Sequence, residues 1–267
     1  MASNNPTLSA SCSNAEKTRK KNMKLKDKVV VITGSSSGIG MATAQLFADE
    51  GAKLVINSKH NESGGKDVVE KLSEKTKAIY KKADVGNPSG AKDLLDTAVS
   101  EFGQIDILIN NAGNGKESNF LELSEEDIAL LIDDNLMSTI HCSQYAVNLM
   151  QSNNDIAKII NTSSIRGWEW GGRAPIYAAA KAGVNSLTRT LASAYSPNIL
   201  VNAVAPGFTK TPNYDAFSPE LVQSFLNQTK TKQWISVEEM AEAYLFLAKN
   251  DSMTGEVMYV DAGFRLK

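Results

Sequence analysis

From Lys28 onward the chain alternates between two periodicities, and that alternation leaves few folds open. Short β-branched runs lie at 29–33, 53–57, 78–82, 106–110, 158–162, 200–205 and 256–260. Amphipathic stretches at 39–50, 65–73, 89–102, 125–150, 176–194 and 237–249 separate most of them. Strands alternating with helices make βαβ units, and these stack as a parallel sheet covered by helices on both faces. The expected architecture is one doubly wound α/β domain with seven parallel strands. Gly51 stands where the first helix needs a glycine to end it. Ser124, followed by Glu125, Glu126 and Asp127, is a cap with acids in the first turn. One stretch, 207–234, breaks the rhythm with Pro212, Pro219 and a helical run near 219–228. An insertion after the sixth strand, at the carboxyl edge where such sheets bind ligands, is expected to be a substrate lid.

Composition removes several function classes. With 267 residues, 42% hydrophobic and 22% charged, the chain has a globular balance. No apolar run approaches the ~18 residues of a membrane span. Two cysteines and two histidines cannot build a disulfide scaffold or a Cys/His zinc site of the usual ligand count. Residues 1–28 carry seven basic and two acidic side chains, which leaves −7 on the remainder of a chain whose total is −2. A mildly acidic body is a poor partner for nucleic acid. Residues 1–24 lack apolar periodicity and are expected to be a disordered or appended tail, with the domain at 25–267. The tail has no secretory core; its Ser and basic content loosely fits an organellar leader, against a cytoplasmic expectation. Met23 is a candidate start.

Two local patterns carry chemistry. The first strand runs into Thr33-Gly34-Ser35-Ser36-Ser37-Gly38-Ile39-Gly40 and then a helix. Glycines there allow a tight turn and let backbone N–H groups approach a pyrophosphate, with the helix dipole in support. At the end of the second strand no acid stands between Leu54 and Asn61 to hold a ribose 2′-hydroxyl. Ser58 and Lys59 stand there instead, suited to a 2′-phosphate or simply to a solvated loop. Asp84, at the end of the third strand, is a candidate acceptor for an adenine amino group or a turn aspartate.

The second pattern is Tyr177 and Lys181, four residues apart and so on one helix face. An ammonium at about 4–5 Å stabilises phenolate by about 3–4 kcal/mol at an effective dielectric of 20, equivalent to about 2–3 pKa units. Ser163 and Ser164 end the fifth strand, and Ser164 lies thirteen residues before Tyr177. A strand end and the start of the next helix meet at the carboxyl edge of the sheet, over the crevice opened by the glycine turn.

With these residues in place the chain resembles the short-chain dehydrogenase/reductase family over about 25–263. The likeness rests on Thr33-Gly34-x-x-x-Gly38-Ile39-Gly40, Asp84-Val85, Asn110-Asn111-Ala112-Gly113, Asn135, Ser164, Tyr177-x-x-x-Lys181, Pro206-Gly207 and Val260-Asp261-Ala262-Gly263. The resemblance implies a Rossmann-like fold and a nicotinamide cofactor. It implies Tyr177 as general acid/base, with Lys181 holding the nicotinamide ribose and depressing the Tyr177 pKa. Ser164 would bond the substrate oxygen, and Asn135 would hold a water that relays protons to Lys181. Ser36, Ser37, Asn111, Ala112 and Gly113 would line the cofactor, joined by Pro206, Gly207, Thr209 and Thr211. Three positions depart from the family pattern: Ser37, where NADPH enzymes of the family often place Arg or Lys, Lys59, where Arg is commoner, and Thr209, where an aliphatic residue is usual. NADP(H) is the expected cofactor by charge, with NAD(H) the alternative.

The wall after Ser164 reads Ile165-Arg166-Gly167-Trp168-Glu169-Trp170-Gly171-Gly172-Arg173. Its Trp rings suit either a stacking platform for a sugar or aromatic substrate, with Arg166 selecting polar groups, or packing on the lid or a neighbouring subunit. Phe208 is a further candidate for the pocket. The segments 151–155 and 196–198 lack the basic grip that carrier-protein reductases of this family tend to show. A small ketone, alcohol or sugar-like substrate is therefore expected, with 3-oxoacyl-carrier-protein reduction the alternative and a non-catalytic dinucleotide binder third. Small residues nearly encircling the helix after Ile176, together with the family habit, imply a homodimer or homotetramer.

Overall fold

The computed structural model describes residues 23–115, 120–168, 174–211 and 218–266. Seven strands form one parallel sheet: β1 Val29–Ile32, β2 Lys53–Ser58, β3 Ala78–Lys82, β4 Ile107–Asn110, β5 Ala157–Thr162, β6 Ile199–Pro206 and β7 Val257–Val260. Their order across the sheet is β3-β2-β1-β4-β5-β6-β7. The order reverses between β1 and β4, whose connections leave to opposite faces, and a crevice opens above that pair.

The helices are α1 Gly38–Asp49, α2 Glu62–Leu72, α3 Pro88–Phe102, α4 Glu125–Ile132, α5 Ser138–Met150, α6 Pro175–Tyr195, α7 Pro219–Asn227 and α8 Val237–Lys249. The central strands are buried on both faces, so β1 reads as four consecutive aliphatic residues with no alternation. One core layer packs α1 and α8 on the sheet around Phe47, Ile32 and Tyr244. The opposite layer packs α3 and α5 around Leu94, Leu108 and Ala146. Among the described residues no helix is long and apolar enough to cross a membrane.

Local signals explain most boundaries. Gly51 sits at φ +80° just after α1, and its amide donates to the Ala48 carbonyl at 2.9 Å. Ser124 accepts from the Asp127 amide at 3.1 Å and starts α4. Two expectations need correction. The stretch 125–150 is not one helix, because a π-helical segment, Asp133–Met137, separates α4 from α5. The second helix starts three residues before the expected Gly65, at Glu62. The Asn61 side chain caps it by accepting from the Gly64 amide at 3.1 Å. Gly65, the expected first residue of that helix, is a packing glycine: a Cβ there would lie 2.2 Å from the Tyr80 ring.

Met23 is already tied to the body, its amide donating to the Lys249 carbonyl at 3.1 Å, and Leu25 is buried. The helix α7 lies against the rest of the chain through Phe225, which stacks on Phe208 with centroids 4.8 Å apart. Phe264 meets Phe208 edge-on at 5.4 Å.

Candidate active site

The crevice above β1 and β4 continues into a cavity of about 270 Å³. Its floor is built by a hydrogen-bonded crossing. The Thr33 hydroxyl accepts from the backbone amides of Asn111 and Ala112, each at 2.9 Å. The Asn111 side chain returns the favour, donating to the carbonyls of Thr33 at 3.0 Å and Gly34 at 2.9 Å. Gly34 has φ +61°, and a Cβ on it would meet the Ala112 Cα at 2.9 Å. A Cβ on Gly40 would meet the Gly34 oxygen and the Asn111 amide nitrogen, both at 2.6 Å. Glycine at these two positions lets the turn fold back beneath the start of α1.

That helix start is left open for an anion. Ser37, its cap residue, makes no side-chain cap bond, and the first turn holds no acid. Ser37, Gly38 and Ile39 line the cavity, so the free N–H groups and the positive end of the helix dipole serve this space. Thr211 reaches Gly38 across it, at 3.6 Å from where a Cβ would be. The donor set and the glycine cradle fit the pyrophosphate of a dinucleotide.

On the far side, Ser164 leaves β5 and Tyr177 and Lys181 come from the first turns of α6. The Tyr177 hydroxyl is hydrogen-bonded to Ser164. Burial raises the Tyr177 pKa, opposed by the Ser164 bond and by the nearby Arg166 charge. The Lys181 ammonium is 5.6 Å from the Tyr177 ring centre and donates to the Thr162 carbonyl at 2.9 Å. Burial lowers its pKa to about 8. The expected depression of the Tyr177 pKa by Lys181 is therefore corrected: desolvation dominates, and Ser164 and Arg166 supply the opposing pull. Ser163 is spent elsewhere, donating to Asn185 at 2.5 Å.

Asn135 enters from the π segment. Its Nδ2 donates to the carbonyls of Asn114 at 2.8 Å and Leu131 at 3.0 Å. Its buried Oδ1 has no hydrogen-bond partner among the described residues. A Cβ on Gly113 would come 2.7 Å from that oxygen and 3.5 Å from the Lys181 nitrogen, so the two polar atoms flank one glycine. A buried, unpaired acceptor beside an ammonium suits a water or a ligand hydroxyl.

The cavity also gathers Asn111, Gly113, Arg166 and, from the end of β6 onward, Pro206, Gly207, Phe208 and Thr209. Thr209 is buried and donates to the Gly207 carbonyl at 3.3 Å. Other sequence candidates stand apart. Gly34, Gly40 and Ala112 build the floor, and Ser36 lies on the turn without lining the cavity. Val85 packs in the core. Asp84 is a turn aspartate, accepting from the Gly86 amide at 3.0 Å. Ser58 is buried, donating to the Asn61 carbonyl and paired with the Tyr80 hydroxyl. Lys59 lies between Asp84 and Asp134, at 3.1 and 3.4 Å. Trp168 is 60% exposed and off the cavity, and Trp170 lies outside the described residues. Asn114, a lining residue that bonds both Asp134 and Asn135, had no sequence signal beyond its place after the glycine at 113.

A dinucleotide cradle facing a Ser–Tyr–Lys cluster defines a nucleotide-dependent oxidoreductase of the doubly wound class. The family model described as enoyl-(acyl carrier protein) reductase matches residues 34–265. A (2S)-[(R)-hydroxy(phenyl)methyl]succinyl-CoA dehydrogenase subunit of Thauera aromatica is 37% identical over 90% of this chain and 98% of its own. A 3-oxoacyl-[acyl-carrier-protein] reductase of Thermotoga maritima is 34% identical over 90% of this chain and 99% of its own. A short-chain dehydrogenase of Burkholderia cenocepacia J2315, solved with NADP, superposes with TM-score 0.84 at 27% identity, covering 91% of this chain and all of that one. The chain belongs to the short-chain dehydrogenase/reductase family and is an NAD(P)-dependent oxidoreductase.

The Gly40 contact gives a direct test of the cradle. Gly40→Ala should weaken nicotinamide dinucleotide binding at least about tenfold and cost about 1–3 kcal/mol of stability, because the new Cβ meets backbone that cannot yield. Calorimetric titration beside denaturant unfolding reads both; unchanged binding would show that the turn does not hold the cofactor.

Proposed function

We propose that the protein reduces the carbonyl of a small molecule with NADPH, or oxidises the corresponding alcohol, at Ser164, Tyr177 and Lys181. The observation that carries this is the Tyr177 hydroxyl bonded to Ser164, one helical turn from a buried Lys181, in the cavity that the start of α1 also enters. The bound nicotinamide supplies the hydride equivalent. Ser164 and Tyr177 hold the substrate oxygen between their hydroxyls, and Tyr177 gives its proton as negative charge builds there. Lys181 sits one turn away with its pKa lowered to about 8, and the unpartnered Asn135 oxygen is placed to hold a water that would link it to solvent. The raised pKa of Tyr177 keeps it protonated at neutral pH, which is the form reduction requires.

The substrate side is walled by Phe208 and Phe225, and the segment around α7 acts as the lid. Among the described lining residues Arg166 and Lys181 are the cations and none is acidic. That favours ketones, alcohols or sugar-like compounds with an anionic or strongly polar group near the carbonyl. Reduction of a 3-oxoacyl carrier protein is the second reading, favoured by the Thermotoga maritima relative. The absence of basic residues in 151–155 and 196–198 weighs against it. NADP(H) is supported by the position of Lys59 and by the NADP-bound Burkholderia structure. A structural neighbour described as an NADH-dependent reductase of alginate metabolism keeps NAD(H) as the alternative. We place the enzyme in the cytoplasm as a homodimer or homotetramer. Ala179, Ala182 and Ser186 form an exposed small-residue face on α6 that suits close helix pairing, whereas Gly183 is already used against Leu136 of its own chain.

Three outcomes check this reading. Tyr177→Phe should lower turnover more than about a hundredfold while dinucleotide binding persists, since only the proton donor is lost. A variant keeping over about a tenth of the wild-type rate in an NADPH assay with ketones, diketones and sugars would sink the role of Tyr177. The reductive kcat/KM should fall as pH rises through about 8, where Lys181 gives up its proton, and a profile flat to pH ~10 contradicts that. Light scattering at micromolar concentration should give at least a dimer mass; a monomer would remove the α6 pairing.

A further inference from the structure

The ammonium of Lys59, at the carboxyl end of β2, lies between two carboxylates: Asp84 Oδ2 at 3.1 Å and Asp134 Oδ1 at 3.4 Å. Asp84 has a local task in its own turn. Asp134 comes from a distant part of the chain, the second residue of the π segment, and is the better shielded of the two, 17% exposed against 37%. Its other oxygen accepts from Asn114 Nδ2 at 2.8 Å, and the Asn114 carbonyl accepts from Asn135 at 2.8 Å. Lys59 is thus held by an acid that adjoins the inner site, and the three charges together are negative.

We propose that Asp134 is a specificity-determining residue that biases the enzyme against the 2′-phosphorylated dinucleotide, by holding Lys59 and by placing a carboxylate beside the incoming phosphate. The proposal rests on the reading of Lys59 as the residue that faces the adenosine ribose. A phosphate that recruits Lys59 must displace it from Asp134 and then stand within about a Debye length of that carboxylate. A ribose hydroxyl carries no such penalty, and a carboxylate accepts its hydrogen bond. Lys59 and Asp134 therefore pull the cofactor preference in opposite directions, and the net preference is their difference.

The experiment is calorimetric binding of NADPH and of NADH, without substrate, to the wild type, Asp134→Asn, Asp134→Ser and Lys59→Met. Both Asp134 variants remove the charge and keep an oxygen for Asn114, so one serves if the other folds poorly. NADPH should bind about 3–10-fold tighter to them, with NADH changed less than about twofold, and the gain should shrink as salt is raised. If Asp134 variants move both cofactors equally, or neither, while Lys59→Met weakens NADPH, the role of Asp134 is overturned and the reading of Lys59 stands. If Lys59→Met leaves the NADPH-to-NADH ratio unchanged, the reading of Lys59 is overturned, and the proposal with it.

Discussion

The crossing of Thr33 with Asn111 and Ala112 is the constraint on which the site depends. Two parallel strands whose connections leave to opposite faces end side by side, and the backbone groups at their ends have lost their ladder partners. Leaving each such buried group unpaired costs about 1–3 kcal/mol. One threonine hydroxyl and one asparagine amide take up four of them. This locks the glycine turn against the end of β4 and aims the start of α1 into the cavity. The crevice is therefore a rigid product of the sheet, and the anion-binding end of α1 comes with it.

Burial then shapes the chemistry. Tyr177 and Lys181 are both desolvated, and desolvation acts in opposite directions on an acid and a base: the phenol is pushed up, the ammonium down to about 8. The pair is thereby drawn toward its neutral forms in the free protein. In the proposed reaction the substrate oxygen becomes negative, and a cation beside it is worth more in this low-dielectric space than in water. Ser164 and Arg166 already lean on Tyr177 in that direction. The site thus favours the proton on Tyr177 before the reaction and favours its departure as charge builds.

The alternation of β-branched runs and amphipathic stretches made the sheet legible, with most strand ends within one residue and α8 placed residue for residue at Val237–Lys249. The cluster of Ser164, Tyr177 and Lys181 was legible because strand end and helix start must converge on one sheet edge. Other features depend on pairs distant in sequence. Gly65 is silent until Tyr80 is packed on it. Lys59 reads as an unspent charge until Asp84 and Asp134 are brought to it. Val85 stands in the motif beside Asp84, and its aliphatic side chain joins the core next to the sheet. Trp168 has no periodicity to say which way it faces, and it faces out.

The π segment shows why a regular helix would not have served. In an α-helix, neighbouring residues point about 100° apart, and the apolar stripe of 125–150 would set the direction of every residue on it. An inserted residue re-aims side chains locally without unwinding the flanking turns. Here Leu131 stays in the core before it and Ser138, Thr139 and Cys142 after it. Between them Asn135 turns inward toward Lys181 while Asp134 turns to Lys59 and Asn114. Asn135 is fixed by two carbonyls, one from its own helix at Leu131 and one from the strand-end loop at Asn114, so the distortion is held from both sides. Two consecutive side chains thus reach in two directions, and both are hydrogen-bonded to Asn114. The bulge is what lets one short segment supply both the acid that pairs with Lys59 and the buried acceptor of Asn135 that lines the cavity.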